Sequence, residues 1–191
     1  MQQKGSSVSL IIRTESDKPM SSSLIENLVV QAKEKDAEAF GELYSFYAKD
    51  MYRFALYYTG QAHLAEDAVS DAVLNAFQNI QNLKKNSSFK PWLFSILFNC
   101  CKRAQKEKAL ALQRVELSVA SGLSVEEYEK SDAADVKRLL SALDEDEREV
   151  LLLSFLGGYS SEEIGEMLSM RPGSVRSKKA RSVKKLRKLM S

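Results

Sequence analysis

From Ala65 to Leu83 the apolar residues recur at intervals of three and four: Ala65, Ala68, Val69, Ala72, Val73, Ala76, Phe77, Ile80 and Leu83. At 3.6 residues per turn an α-helix places all of them on one face, whereas a strand would scatter them over two. The same spacing runs through Phe40, Leu43, Tyr44, Tyr47, Met51, Phe54, Ala55 and Tyr58, and again through Leu93, Ile96, Leu97, Cys100, Cys101 and Ala104. Local signals punctuate these stripes. Ser23 to Glu26 has a capping-box pattern, Asp36 is placed to cap the second helix, and Gly60 ends it. Pro91 suits a first helical turn, where its missing N–H is not needed. Residues 23–108 are therefore predicted to form one compact four-helix domain.

Residues 1–22 are rich in Ser and Gln without periodicity and read as a flexible extension. Periodicity fades again over 109–131, predicted to be a linker with one weak helix. It returns at Val136, Leu139, Leu140 and Leu143; Asp144 then caps a helix that Gly157-Gly158 stops. Ser160 to Glu163 is a second capping box, and Ser169 to Gly173 a turn into a final helix. Strand alternation and hairpin signals are missing throughout. The expected fold class is all-α, with two small helical domains, 23–108 and 132–191, joined by a flexible linker.

Composition narrows the chemistry. The one histidine, His63, and the adjacent pair Cys100-Cys101 give no set of ligands at metal-site spacing. Glycine-rich phosphate loops and nucleophile motifs are missing too, so no enzyme, cofactor or metal is expected. The two cysteines lie in an apolar run and read as buried free thiols of a reducing cytoplasm. Apolar runs are too short to span a membrane, and Val8 with Leu10 to Ile12 is too short for a signal peptide.

The formal net charge of +2 hides strong blocks. Residues 84–108 carry 7 bases and 1 acid, and residues 173–191 carry 8 bases and no acid. Acidic stretches, 24–83 and 126–149, alternate with them. Two basic blocks suggest two contacts with a polyanion, and the acidic blocks contacts with something else. Residues 160–189 have the dimensions of a helix-turn-helix, with Ile164, Leu168 and Val175 where its helices should pack. The last helix offers Ser174, Arg176, Ser177, Lys178 and Arg181 near its N-terminal half, the part that enters a major groove, with Lys184, Lys185, Arg187 and Lys188 further along for phosphates.

In the first domain, Glu66, Asp67, Ser70, Asp71, Leu74 and Gln78 lie opposite the apolar stripe. An acidic face with an exposed leucine suits a basic helical partner, and a plain solvated face is the alternative. Trp92, Phe94 and Phe98 fall off the stripe of the fourth helix beside Asn99, Lys102, Arg103 and Lys106. Aromatics beside cations suit stacked single-stranded bases; a helix buried nearly all round is the alternative.

Three segments in order resemble bacterial sigma factors of the extracytoplasmic-function group: Ala65-Glu66-Asp67-Ala68-Val69-Ser70-Asp71-Ala72-Val73-Leu74-Asn75-Ala76-Phe77, then Phe89-Lys90-Pro91-Trp92-Leu93-Phe94-Ser95-Ile96-Leu97-Phe98-Asn99, then Leu143 to Val150 followed by Gly158 to Gly165 and Gly173 to Lys178. Ser70-Asp71 stands where Gln-Glu is usual in the family. The resemblance implies an alternative sigma factor acting in stress-responsive transcription initiation. It implies that Glu66, Asp67, Ser70, Asp71 and Leu74 dock on the clamp helices of the largest RNA polymerase subunit, and that the C-terminal domain meets the β flap. It implies a −10 contact made by Lys84, Lys85, Asn86, Ser87, Ser88 and Asn99, which form a pocket for a flipped base, with Lys102, Arg103 and Lys106 on phosphates. Ser174, Arg176, Ser177, Lys178, Arg181 and Lys185 would serve the −35 element. The linker would thread toward the polymerase active centre. An anti-sigma factor of membrane-anchored type is implied as inhibitor, while the chain itself would stay in the cytoplasm. The competing reading is a stand-alone helix-turn-helix regulator of duplex DNA, usually a dimer; no dimerisation helix is evident.

Overall fold

The computed structural model describes residues 20–116, 136 and 138–190. Among the described residues all regular structure is helical. Helix α1 is Ser22–Lys33, α2 Ala37–Thr59, α3 Ala62–Asn79 and α4 Phe89–Glu116; two 3₁₀ turns, Ile80–Asn82 and Asn86–Ser88, lie between α3 and α4. A helical stretch over 138–141 leads to α5 (Glu145–Leu152), which runs into a π-helical turn, Leu153–Gly157. Helices α6 (Ser161–Leu168) and α7 (Pro172–Leu189) follow.

The caps explain these boundaries. Asp36 Oδ1 accepts from the N–H groups of Glu38 and Ala39 at 2.9 and 3.1 Å, and Gly60 closes α2 at φ 71°. Capping boxes at Asp144/Glu147 and Ser160/Glu163 open α5 and α6, each satisfying two otherwise orphaned N–H groups. Helix α1 starts earlier than expected. Ser21, not Ser23, is its cap, accepting from the Leu24 N–H at 3.2 Å, and the Ser23 hydroxyl turns to Ser21 instead. Helix α4 runs beyond the expected boundary at 108, because Ala109, Leu110 and Ala111 are strong helix formers that extend it without an apolar stripe. The remainder of the expected linker, 117–131, lies outside the described residues, as do residues 1–19 of the extension.

Helices α2 and α4 pack on α3, whose Ala65, Ala68, Ala72 and Ala76 are almost wholly buried and let both approach closely, while α1 packs on α2 and on the two 3₁₀ turns. Helices α5 to α7 form a second group, with α7 laid across α5 and α6. The two groups touch: α5 packs on α2, and the π-helical turn packs on both α2 and α4. This explains the consecutive apolar residues Val150 to Leu153, all fully buried. A helix covered by α7 on one side and α2 on another has no solvent face left there.

Candidate polymerase and DNA interfaces

The sequence-predicted residues of α3 stand on one open face. Glu66, Asp67, Ser70, Asp71 and Leu74 are all exposed, Leu74 at 57%. Beside them Val73 and Phe77 are less buried than their place in the stripe predicts, with Phe77 at 38%. The cause is a groove. Between the start of α2 and the end of α3, residues Ala37, Phe40, Gly41, Tyr44, Ser70, Val73, Leu74 and Phe77 line an open, mainly apolar trough of about 520 Å³. An apolar trough on a helix that also exposes Glu66, Asp67 and Asp71 suits an amphipathic helix with basic flanks. Asp71 is not free on this face: its Oδ2 accepts from Arg103 Nη2 of α4 at 2.6 Å. Both side chains are about half exposed, so the pair contributes at most about 1 kcal/mol.

Residues Lys84 to Ser88 make the connection from α3 to α4. Lys84, Lys85 and Ser87 are exposed, while Asn86 and Ser88 are half-buried in the 3₁₀ turn. The buried Leu83 before it and Phe89 after it pin the loop at both ends. Asn99, Lys102, Arg103 and Lys106 are exposed along α4. The aromatic residues expected beside them do not offer their faces. Phe94 and Phe98 are buried, edge-on to Phe54, and Phe98 is also edge-on to Tyr58. Trp92 is half-buried against Phe89. Over residues 89–98 the helix is covered nearly all round, because the π-helical turn packs on its second side. Cations lie over the covered rings from outside: Lys90 Nζ is 5.5 Å from the Phe94 ring centre and Lys102 Nζ 5.3 Å from that of Phe98.

The seam between the two helical groups includes polar contacts. The Tyr58 hydroxyl donates to Glu149 Oε1 at 2.8 Å, and the Tyr159 hydroxyl donates to the Pro91 carbonyl. Glu149 is 6% exposed. Burial pushes its carboxyl above the usual range, while the Tyr58 hydrogen bond and the Lys102 charge pull it back. Burial also raises the Tyr58 phenol, with the Glu149 contact adding to the effect. Nothing local in the sequence marks either contact.

In the helix-turn-helix, Ile164 and Val175 are fully buried between α6 and α7, and Leu168 is partly so. Ser169 turns the chain at φ 54°. Gly165 sits under the turn, where a Cβ would lie 2.6 Å from the Met170 carbonyl oxygen. The six predicted residues of α7 divide. Ser174, Arg176, Ser177 and Arg181 are exposed; Arg176 Nη1 reaches Glu162 of α6 at 2.8 Å, with both side chains more than half exposed. Lys178 and Lys185 turn toward α5 instead. Lys178 Nζ is 2.9 Å from Asp146 and only 21% exposed, and Lys185 Nζ is 3.2 Å from Glu147. Lys179 lies over the Phe155 ring at 4.9 Å, and burial lowers its ammonium pKa. Ser182 is fully buried, its hydroxyl satisfied by the Lys178 carbonyl. The acidic end of α5 thus takes up two cations that helical spacing alone assigns to the DNA side.

Among the described residues no cluster of His, Cys, Asp and Glu could hold a metal, and no helix is long and apolar enough to cross a membrane. Comparison with known proteins bears on the assignment directly. Residues 43–110 match the family model for sigma-70 region 2, and residues 133–186 match that for sigma-70, region 4. The extracytoplasmic-function RNA polymerase sigma factor SigW of Bacillus subtilis is 26% identical over 179 residues, covering 86% of this chain and 96% of that protein. BldN of Streptomyces coelicolor, also an extracytoplasmic-function sigma factor, is 28% identical over 173 residues; the match covers 85% of this chain and 64% of that longer protein. Two solved structures share the fold at 23% identity. The sigma factor RpoE of Bartonella quintana, solved with the anti-sigma factor NepR, has a TM-score of 0.65 and covers 81% of this chain and 98% of its own. CnrH, solved with the cytosolic domain of CnrY, has a TM-score of 0.63 and covers 87% and 97%. A stand-alone helix-turn-helix regulator would not carry the region 2 match. With both regions present in order over more than half of its length, the chain belongs to the extracytoplasmic-function group of the sigma-70 family of RNA polymerase sigma factors.

Proposed function

We propose that this alternative sigma factor binds core RNA polymerase through the α2–α3 groove and the exposed acidic residues of α3, and directs initiation at promoters bearing −10 and −35 elements. The observation that carries the first half is the exposure of Leu74 and Phe77 beside Asp67 and Asp71: an apolar strip edged by carboxylates matches a basic amphipathic coiled coil such as the polymerase clamp helices. The connection Lys84 to Ser88, with Asn99, then takes a flipped −10 base, read on its pairing edge once it leaves the stack. Lys102, Arg103 and Lys106 hold nearby phosphates. Ser174, Arg176, Ser177 and Arg181 face the −35 element, while Lys178 and Lys185 stiffen α7 against α5.

The division into residues 23–108 for polymerase and −10 contacts, and 132–191 for the −35 element and the β flap, belongs to the same reading. The protein works by binding, with no covalent chemistry of its own, and acts in the cytoplasm. An anti-sigma factor, membrane-anchored in the simplest case, is the expected inhibitor; the RpoE structure of similar fold was solved with an anti-sigma factor.

The test is capture on core polymerase of the wild type and of Asp67→Lys/Leu74→Ser. These two positions alter the acidic face and the groove without touching the Asp71–Arg103 pair. Wild-type capture lost in the double variant is the expected result. Equal capture of both moves the interface elsewhere, and no capture under conditions where another sigma factor binds refutes the reading.

A further inference from the structure

Helix α1 precedes the residues matched to either sigma region, and its last residue reaches into the connection between α3 and α4. Lys33 Nζ donates to the Leu83 carbonyl and to Asn86 Oδ1, each at 2.7 Å. Gln81 Nε2 returns a bond to the Lys33 carbonyl at 3.3 Å. The helix that carries Lys33 is itself fixed, with Leu28, Val29 and Ala32 buried. The clasp spans 53 residues of sequence and closes on the one amide side chain of a loop otherwise made of lysines and serines.

The chemistry of this contact sets a direction. An ammonium group only donates, so the amide oxygen of Asn86 must face it. The Asn86 amide NH₂, on the other arm of the carboxamide, is then the end left for a ligand. A free asparagine in a loop can present either end to a ligand, but this one is held to presenting donors.

We propose that Lys33 is a positioning residue for promoter reading: by taking the Asn86 oxygen, it makes the loop a hydrogen-bond donor toward the −10 base. The inference rests on the reading of this loop as a −10 contact. It assigns to that contact a base edge with an acceptor at the matching position, and it gives α1 a share in sequence specificity.

The experiment uses full-length protein assembled with core polymerase. Holoenzyme is incubated with a randomised duplex pool, and retained sequences are compared among variants. The wild type should prefer one base at one −10 position by roughly tenfold, the size of one well-made polar contact to a base. Lys33→Met should bring that position to within about twofold and leave the −35 preferences unchanged. Lys33→Arg, still a donor, should keep the preference. Asn86→Asp keeps the partner of Lys33 but turns an oxygen outward, and should move the preference to a base with a donor at that edge. This last variant adds an ion pair, so it keeps the test open should Lys33→Met not fold. If Asn86→Ala changes no preference, the −10 reading of the loop fails. If Asn86→Ala flattens one position while Lys33→Met and Asn86→Asp leave it as in the wild type, only the role of Lys33 is overturned.

Discussion

Adding one methyl group at two helical glycines should move stability in opposite directions. Gly165 in α6 and Gly41 in α2 both have helical backbones that alanine adopts without strain. In each case the substitution gains about 0.5–1 kcal/mol of helix propensity. At Gly41 a Cβ would meet nothing within 4 Å, so that gain stands alone. At Gly165 the Cβ would sit 2.6 Å from the Met170 carbonyl oxygen, well inside the ordinary contact range that begins at 3.4 Å, with Pro172 Cδ and Cγ both at 3.6 Å behind it. The obstacle is backbone, with no rotamer to relieve it. The Met170 N–H also donates to the Gly165 carbonyl at 2.8 Å, so the turn cannot swing aside without losing that bond. Overpacking of this kind costs about 1–3 kcal/mol, and the lost bond adds about 1 kcal/mol. Gly165→Ala should therefore lower unfolding stability by about 1–3 kcal/mol net, and Gly41→Ala should raise it by about 0.5–1 kcal/mol. Urea unfolding followed by far-UV circular dichroism measures both, with midpoints compared at constant slope. A Gly165→Ala protein as stable as the parent, or shifts of the same sign in both variants, would refute the argument from close approach at the helix-turn-helix.

Glu149 supplies a pH test. Its carboxyl is raised in the folded protein, chiefly by burial, so folding takes up a proton just above the unfolded value and this group's contribution falls as pH rises through the folded value. Glu149→Gln keeps an acceptor for Tyr58 and removes the charge; its stability relative to the parent should rise as pH increases above the ordinary glutamate value, and a pH-independent difference in urea midpoints would refute the burial argument. The two faces of α7 should differ in salt dependence. Arg181→Ala, which removes a cation from the DNA-facing side, should reduce the salt slope of holoenzyme binding to a −35 duplex by about one charge, whereas Lys185→Ala should leave it near the parent value. Titration of fluorescent duplex over a salt series checks this, and equal slopes for the two variants would contradict the placement of Lys185 on α5.

The sequence made local features legible and long-range ones not. Asp36, Gly60, the Asp144 cap and the Ser160/Glu163 box are signals confined to a few residues, and each is realised; so is the stripe of α3, except at Val73 and Phe77, which the groove leaves part-exposed. The seam was invisible for the opposite reason. Tyr58 and Glu149 are 91 residues apart, and Tyr159 and Pro91 are 68 apart, with no motif to join them. Phe94 and Phe98 misled the stacking reading because a helix packed on two sides carries aromatics off its main stripe. Lys178 and Lys185 share a helix with Arg181, and only the position of α5 distinguishes them. Lys33 carried no signal, since a lysine in the last turn of a helix is ordinary favourable placement against the helix dipole.

The seam also bears on how the chain is made. Synthesis proceeds from the N-terminus at about 5–20 residues per second, and helices α1 to α4 emerge with nearly all of their own packing partners. Tyr58 and Phe94 are the exception, because their cover on one side is α5 and the π-helical turn that ends at Gly157. For a few seconds in each round of translation, that aromatic surface faces water on a nascent chain still attached to the ribosome. It is during this interval that the protein should be most open to chaperones, and to premature contact with a neighbouring copy on the same message.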